Sequence, residues 1–387
     1  MKTAIQSNHE PTRIKSETLI VGVDARCLNK HYVRGMGKYL SSVIAHTPAS
    51  AEIHWRLFSD RPDLPVHTPD AERCGFDLFE VRGDRFRFWE QFGLPTRVRR
   101  LGMDVLHSCA TTLPWWQPVP TVVTVHDTLQ LTDDTEEGRL GWFYRNLVAR
   151  AYQKCAAIIT ISENSRADIA RLWPSLSRKM HVIPHGIDNE YAMTQPAPLD
   201  DELKQAGIRS PYFVYLGGEI PRKRMEWSLQ VFAQLDDTIQ LVVCGIDQAR
   251  QEHVLASMNE ALRRRVCLAP FIPERLMPRL YQNACGILYP TMYEGFGLPV
   301  VEASAVGTPV VFSAVGSLTE LQGPGGIVLP PHDLDAWVGA CRRLVDERGD
   351  SPQPHAKARE WSRRFSWEES ARRHVEVYRL AAATGKR

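Results

Sequence analysis

The sequence predicts an α/β protein with two parallel-sheet domains of similar size. Through most of its 387 residues, short apolar runs alternate with helical patterns, which is typical of domains built on a parallel sheet. The alternation stops over residues 191–210, where prolines and polar residues indicate a linker, and then restarts. Ligands of open α/β sheets bind beyond the carboxyl ends of the strands, and each half has a glycine turn there. We therefore expect a site in a cleft between two domains.

The first domain is predicted to span residues 18–190. Its first strand, 18–24, is almost entirely apolar, as expected for a parallel strand that is buried on both faces. Residues 1–17 are polar and lack the apolar core of a signal peptide, so we expect a disordered leader there. Helical patterns cover 88–100 and 140–154. The other strand-like runs are 52–58, 78–81, 104–107, 121–126, 156–161 and 181–183.

The second domain is predicted to span residues 211–365, and a last helix and tail follow over 366–387. A helix is expected at 225–235, because its apolar residues recur at helical spacing on one face. The strand-like runs of this domain are 212–216, 239–244, 266–269, 286–289, 309–312 and 326–329.

Composition excludes several classes of protein. Apolar residues make up 43% and charged residues 24%, which is typical of a globular protein. The net charge of +2 is too small to indicate nucleic-acid binding. None of the eight cysteines belongs to a Cys-x-x-Cys pair, so we expect free thiols in a reducing, cytoplasmic compartment. Residues 295–316 contain one charge, but Gly307-Thr-Pro309 interrupts them, which favours helix, turn and strand over a membrane span.

Residues 291–303 are the stretch of sequence that gives the main indication of function. A strand-like run precedes it, Gly295 and Gly297 form a turn, and Pro299 indicates the start of a helix. The open N-terminus of such a helix presents unpaired N–H groups that suit a phosphate. Glu294 and Glu302 flank the turn and can accept hydrogen bonds from sugar hydroxyls. The stretch therefore indicates a nucleotide-sugar site.

Two further turns follow the first strand of each domain. Gly35-x-Gly37 lacks the third glycine of a dinucleotide fingerprint, so a simple turn into a helix and a loop that contacts phosphate or sugar both remain open. In the second domain, Leu216-Gly-Gly leads to Arg222-Lys-Arg224. Three consecutive cations at this edge can neutralise a diphosphate, which we favour over a solvated basic turn.

Three weaker signals are left with alternatives. His126 and Asp127 end a buried strand, where a binding role and a structural role are weighed evenly. Residues 82–100 mix arginines with aromatic residues, and we favour an ordinary surface helix over contact with anionic lipid. Asp333-Leu-Asp335 spells a metal-type motif, but Asp333 is better interpreted as a helix N-cap, and no metal is expected.

The motifs together resemble the retaining glycosyltransferases of family 4, which have the GT-B fold. Glu294-Gly-Phe-Gly-Leu-Pro-x-x-Glu302 is similar to the E-x7-E motif of that family. The resemblance extends along most of the chain. The other matching motifs, in the family's order, are Asp24-Ala-Arg, Arg34-Gly-Met-Gly-Lys-Tyr, Trp89-Glu-Gln-x-x-Leu-Pro, Asp104-Val-Leu-His-Ser, His126-Asp127, Ser162-Glu-Asn-Ser, Val182-Ile-Pro-His-Gly-Ile-Asp and Phe365-Ser-Trp-Glu-Glu.

The resemblance implies two Rossmann-like domains that face each other, with the acceptor on the first, the donor on the second and a last helix that crosses back. It implies that Glu294 binds the donor sugar, Glu302 the ribose and Arg222 with Lys223 the diphosphate, while His126 contacts the transferred sugar. His126, Glu294, Arg222 and Lys223 would be the catalytic residues. Donor contacts would also come from Gly35, Gly37, Gly217, Gly218, Gly295, Phe296, Gly297 and Leu298, and acceptor contacts from Trp115, Trp116 and Asp127.

The implied activity is retaining, metal-independent transfer of a hexose from a nucleotide-diphosphate sugar, without a cofactor. Pro221-Arg-Lys223 resembles the branch that uses GDP-mannose or GDP-deoxyhexoses. Gly218 stands where many UDP-sugar-dependent relatives have an arginine, which argues against a UDP-sugar donor but does not exclude one. The acceptor would be a saccharide or a lipid-linked oligosaccharide in bacterial polysaccharide or O-antigen synthesis, at the inner face of the cytoplasmic membrane. A non-catalytic nucleotide-sugar binding protein and a nucleotide-sugar epimerase of the same architecture are the alternatives.

Overall fold

The protein consists of two α/β units, each built on a parallel sheet. The structure is a computed structural model. It describes residues 18–28, 35–60, 74–78, 85–129, 142–269, 271–348 and 356–385. The leader predicted over residues 1–17 lies outside the described residues.

The first sheet has seven parallel strands in the order β3-β2-β1-β4-β5-β6-β7. Strand β5 is buried throughout, which agrees with its composition of β-branched valine and threonine. The strands are β1 Leu19–Asp24, β2 Ile53–Ser59, β3 Cys74–Leu78, β4 Val105–Ser108, β5 Thr121–Val125, β6 Ala157–Thr160 and β7 Met180–Val182.

The second sheet has six parallel strands in the order β10-β9-β8-β11-β12-β13. Both faces are covered, with β11 buried along its length between two apolar clusters. The strands are β8 Tyr212–Leu216, β9 Gln240–Cys244, β10 Val266–Leu268, β11 Gly286–Tyr289, β12 Val310–Ser313 and β13 Gly326–Leu329.

Helices connect the strands in both units. A π-helical segment, Arg85–Gly93, leads directly into α2. In the first unit the helices are α1 Met36–Ala45, α2 Leu94–Leu101, α3 Trp142–Lys154 and α4 Glu163–Leu172, and the connection carries α5 Asn189–Ala192 and α6 Asp201–Gln205. In the second they are α7 Met225–Phe232, α8 Gln251–Ala256, α9 Glu260–Arg265, α10 Met277–Gln282, α11 Leu298–Val306, α12 Leu334–Arg348 and α13 Ala356–Ser362, and α14 Trp367–Gly385 ends the chain.

Both strand orders place a crevice at the same position. In each sheet the strand order reverses direction between the first and fourth strands, β1 and β4 in one and β8 and β11 in the other. Open α/β sheets bind ligands at this reversal, outside the carboxyl ends of the strands. The turns that contain Gly35, Gly217 and Glu294 all follow these strands. The topology therefore brings these three turns to the two crevices.

The last helix packs on the first unit, as predicted. Trp367 and Tyr378 of α14 belong to the apolar cluster that includes β1 and β2. The hydroxyl of Tyr378 lies 2.9 Å from Nδ1 of His107 on β4, and Trp367 Nε1 donates to Asp188 Oδ1 at 2.8 Å. Helix α14 therefore fastens the end of the second unit to the first.

Most predicted elements are found close to their predicted positions, with one clear displacement. The third strand, predicted at 78–81, is Cys74–Leu78, and residues 79–81 lie outside the described part. Residues 298–313 form helix, turn and strand, as expected from the Gly307-Thr-Pro309 break. Asp333 caps α12, since its Oδ1 accepts from the N–H of Ala336 at 3.0 Å. Among the described helices, none has the length and apolar character to cross a membrane.

Candidate active site

The turn after β11 opens onto the first turn of α11. Gly297 precedes the helix with φ of 112°, a left-handed conformation that favours glycine. A Cβ on Gly297 would lie 2.5 Å from Leu318 Cδ2, so a larger residue would also clash with the chain that packs beneath the turn. Leu298 and Pro299 then begin the helix. The turn therefore leads into the N-terminus of a helix, as the sequence predicted, although Pro299 has no N–H and the N–H of Val300 already donates to the Gly297 carbonyl at 3.0 Å.

Glu294 lies at the centre of a small polar cluster. Its Oε1 accepts from Arg222 Nη1 at 2.9 Å and from Thr291 Oγ1 at 2.9 Å, and it also forms an ion pair with Lys223. Lys223 Nζ donates to the hydroxyl of Tyr289 at 2.8 Å. Neighbouring strands β8 and β11 carry the two halves of the cluster, which explains how residues far apart in sequence meet.

The two cations are held in place before any ligand binds. Besides its bond to Glu294, Arg222 Nη1 donates to the backbone carbonyl of Tyr293 at 2.9 Å. Burial lowers the pKa of Lys223, while the carboxylate of Glu294 raises it in part. Two cations therefore share the carboxylate of Glu294, and both are of the kind that binds a diphosphate.

Glu302 lies eight residues further along, in α11, and is buried. Its Oε1 is 3.2 Å from Nζ of Lys38, which reaches it from α1 of the first unit. Lys38 also pairs with Asp188 at 2.8 Å and with Glu274 at 2.7 Å. Burial raises the pKa of Glu302, and Lys38 partly offsets this rise. Burial alone would lower the Lys38 pKa, but the three carboxylates raise it above its ordinary value, so the ammonium stays charged.

The turn of the second unit touches the first unit at His126. A Cβ on Gly295 would lie 1.9 Å from the backbone oxygen of His126 and 3.2 Å from Cβ of Asp127. Only a glycine permits such a close approach of two backbones. The structure therefore brings His126 and Asp127 directly against the Glu294 turn.

His126 is partly buried and electrically neutral at pH 7. Burial lowers the pKa of His126 to about 4, and a bond to the Cys109 carbonyl opposes this shift. That carbonyl only accepts, so Nε2, at 3.0 Å, carries the ring proton and Nδ1 keeps its lone pair. Burial also raises the pKa of Asp127. The neutral imidazole can therefore accept a hydrogen bond from a hydroxyl group at Nδ1.

His185 lies beside His126 and was not predicted as a site residue. Its ring centroid is 5.7 Å from that of His126, 5.2 Å from Phe296 and 5.2 Å from Tyr39. Both ring nitrogens are buried, and among the described residues neither has a hydrogen-bond partner. Burial holds the His185 pKa well below its ordinary value. The signal for His185 in the sequence is its place in Val182-Ile-Pro-His-Gly-Ile-Asp, one of the motifs that resemble the family.

Two further contacts join the units beside the site. The hydroxyl of Tyr293, next to Glu294, lies 2.9 Å from Oγ1 of Thr128 and 3.1 Å from its backbone nitrogen. The carboxylate of Glu320 accepts from the N–H groups of Glu163 and Asn164, at 2.9 and 2.6 Å, at the N-terminus of α4. These contacts were also missed by sequence reasoning, because periodicity says nothing about how two domains face each other.

The four other glycines that were predicted as donor contacts form two pairs, one in each unit. Gly35 and Gly37 begin α1 and thereby place Lys38 at Glu302. Gly217 lies against the Lys223 side chain, and Gly218 lies against the carbonyl of Gly245.

Trp115 and Trp116 are not brought to this site. Trp115 lies under the ammonium of Lys154 and Trp116 beside Arg99, at the last turns of α3 and α2. Both helices end where strands begin, at the edge of the sheet opposite the crevice. No group of three His, Cys, Asp or Glu side chains with metal-binding geometry occurs in the part of the chain that the structure describes.

Comparisons with known proteins agree with this geometry. Residues 30–191 match the family Glycosyltransferase Family 4, and residues 200–361 match Glycosyl transferases group 1. The D-inositol 3-phosphate glycosyltransferase of Xylanimonas cellulosilytica is 30% identical over 60% of this chain and 58% of its own length. The O-antigen chain mannosyltransferase B of Escherichia coli is 31% identical over 58% of this chain and 60% of its own length.

A solved structure supports the same fold. Sucrose-phosphate synthase from Thermosynechococcus elongatus superposes with a TM-score of 0.73 at 21% identity, over 95% of this chain and all of that chain.

The two facing Rossmann-like units have the GT-B fold, and the matches to two glycosyltransferase families identify the protein as a glycosyltransferase. Because the matched families cover both units in succession, the chain belongs to glycosyltransferase family 4. The matches span about three fifths of the two relatives, so their own activities are not assigned to this chain by the comparison.

Proposed function

We propose that this protein transfers a hexose from a nucleotide-diphosphate sugar with retention of anomeric configuration and without a metal ion. The hexose is mannose or a deoxyhexose, and the acceptor is a saccharide or lipid-linked oligosaccharide in polysaccharide or O-antigen assembly. The observation that carries the proposal is the cluster of Glu294, Arg222 and Lys223 at the N-terminus of α11, closed by His126 from the opposite unit.

The proposed role of Arg222 and Lys223 is to stabilise the leaving group as it departs. As the bond to the diphosphate breaks, negative charge grows on the phosphate oxygens. Arg222 and Lys223 are already fixed near each other at Glu294, so they can stabilise this charge with little rearrangement. The same cations supply the charge that a divalent metal would provide, which supports a metal-independent reaction.

The carboxylates account for donor recognition. When phosphate oxygens take over Arg222 and Lys223, Glu294 is released to accept hydrogen bonds from sugar hydroxyls. Glu302 is the second acid and would bind the ribose hydroxyls, in competition with the ammonium of Lys38. His126, neutral with Nδ1 free to accept, would orient a hydroxyl of the transferred sugar.

A GDP-linked donor is favoured over a UDP-linked one. The support is the sequence Pro221-Arg-Lys223 together with likeness to the O-antigen chain mannosyltransferase B of Escherichia coli. A thermal-shift series with GDP, UDP and ADP tests this choice, because a ligand that binds the folded state raises its melting temperature by mass action. Stabilisation by UDP but not GDP would overturn the donor assignment and leave the reaction class intact.

Transfer itself is tested with three single variants. Glu294→Ala, Arg222→Ala and Lys223→Ala are each expected to lower the rate of transfer by about 100-fold or more. The matched control is Arg264→Ala, which removes an exposed cation paired with Glu260 on α9 of the same unit. The anomeric configuration of the product, read by NMR, tests retention. Full activity in all three variants would contradict the proposal.

A non-catalytic nucleotide-sugar binding protein is the second candidate. It predicts donor binding without transfer or donor hydrolysis for any acceptor, whereas an epimerase would release an epimeric sugar with no acceptor present. Analysis of products with and without acceptor separates the three outcomes.

A further inference from the structure

Four large aromatic side chains lie exposed on one face of the first unit. Phe88 is 54% exposed, Phe92 65%, Trp115 44% and Trp116 39%. The rings of Phe88 and Phe92 are 6.3 Å apart, and the backbone N–H of Trp115 donates to Gln91 Oε1 at 2.8 Å, one residue from Phe92. We call these four residues the aromatic strip.

The strip stands on a rigid base. Between the two exposed phenylalanines, Trp89 and Glu90 point inward and are buried. Arg26 lies 4.3 Å from the Trp89 ring centroid and donates to Glu90 Oε2 at 3.0 Å, and Thr112 donates to the same oxygen at 2.6 Å. These bonds fix the inner face of the segment and hold Phe88 and Phe92 outward, so their exposure is built into the fold.

Cations surround the strip. Lys154 Nζ lies 3.4 Å from the centroid of the Trp115 ring, and the guanidinium of Arg99 lies 5.9 Å from that of Trp116. Arg100 and Arg150 are exposed on the same helices, α2 and α3. Across the described residues 88–103, 109–120 and 146–155, the only carboxylate is the buried Glu90. The face is therefore apolar at its centre and positive around it.

The geometry points to this face as a docking surface for a lipid bilayer with anionic headgroups. Aromatic rings favour the boundary between acyl chains and headgroups, and nearby lysine and arginine bind anionic lipid. The two indole rings are engaged by cations and lie at the edge opposite the crevice, which argues against stacking on an acceptor sugar. The inference does not rest on the proposed reaction, because binding to vesicles needs neither donor nor acceptor.

Vesicle binding tests the inference on the full chain. The protein is expected to sediment with vesicles of phosphatidylcholine and phosphatidylglycerol in equal parts and to remain in solution with phosphatidylcholine alone. Arg99→Gln with Lys154→Gln is expected to weaken binding roughly 30-fold, since two surface cations are lost. Phe88→Ser with Phe92→Ser is expected to abolish binding while the far-UV spectrum stays unchanged.

Matched controls change the same chemistry elsewhere. Met193→Ser with Leu380→Ser removes two exposed apolar side chains, and Arg171→Gln with Arg178→Gln removes two exposed cations of the first unit. Both are expected to bind vesicles as the parent does. Failure of the parent to bind the anionic vesicles, or equal loss of binding in the controls, would overturn the inference and favour a protein partner for the strip.

Discussion

The ammonium of Lys38 lies 3.2 Å from Oε1 of Glu302 and joins the first helix of one unit to the second acid of the site in the other. Asp188 and Glu274 share the same ammonium, so one cation serves three carboxylates that are drawn from both units and their connection. Any ligand that engages Glu302 must alter this cluster. Under the function proposed above, donor binding and the contact between the units are therefore linked through one side chain.

Lys38→Met tests the importance of this cation for stability. The variant leaves the buried Glu302 and its two acidic neighbours without a counter-charge, which we expect to cost about 3 kcal/mol of unfolding free energy. Urea unfolding, followed by tryptophan fluorescence, measures the change. The control Lys204→Met removes an exposed pair with Asp201 and should change stability by less than about 1 kcal/mol. A loss in Lys38→Met no greater than in the control would show that the cluster is not stabilised by Lys38.

Gly295→Ala tests the contact between the Glu294 turn and His126. The added Cβ would lie 1.9 Å from a backbone oxygen, so the two units must separate. We expect the rate of transfer to fall by about 100-fold while the circular dichroism spectrum of the protein stays unchanged. Gly339→Ala is the control, because nothing lies within 4 Å of its Cβ and alanine suits the interior of α12. Normal activity in Gly295→Ala would mean that the active arrangement does not use this contact.

Glu320→Gln tests the second contact between the units. The carboxylate of Glu320 accepts two N–H bonds at the positive end of α4, an arrangement worth about 1 kcal/mol. Loss of its charge should favour separation of the units, visible as a larger radius of gyration in small-angle scattering without donor. Glu226→Gln, in the first turn of α7, changes the charge equally without touching the first unit. Identical scattering from the two variants would argue against a role for Glu320 in closure.

The sequence predicted the parts of the site that depend on one sheet. Arg222 and Glu294 follow β8 and β11, and the carboxyl ends of parallel strands share an edge, so their meeting followed from the strand pattern. Relations between the units were not predictable in this way. Lys38 and Glu302 are separated by 264 residues and by a domain boundary, and no periodic pattern reports how two domains face each other.

The strand pattern also could not predict where Trp115 and Trp116 lie on the surface. Tryptophans that follow a strand suggested an acceptor platform, because Trp115 and Trp116 come shortly after β4. The chain between β4 and β5, however, has to return to the opposite edge of the sheet, and the two rings lie there with Arg99 and Lys154. The number of residues between the end of β4 and Trp115 therefore did not show at which edge of the sheet the two tryptophans lie.

The histidines at the junction predict that acid destabilises the protein. The carbonyl of Ser370 can only accept, so Nδ1 of His374 carries the ring proton and donates to it at 2.7 Å. Nε2 of the same ring is then unprotonated and accepts from the Tyr39 hydroxyl at 2.5 Å. Neutral His374 is therefore required. Burial lowers the pKa of His374, like that of His126, to about 4.

Because both pKa values are below that of a histidine in the unfolded chain, about 6.5, the stability that they contribute is complete above pH 6.5 and is lost as the pH falls toward 4. Protonation of each histidine should lower the free energy of unfolding by about 2 kcal/mol between pH 7 and pH 5. Urea midpoints at the two pH values measure this loss. His374→Phe should lower stability at pH 7 but reduce its dependence on pH, whereas the same change at the exposed His253 should leave that dependence as it is. A parent protein equally stable at both pH values would contradict the assignment of neutral, buried histidines to this junction.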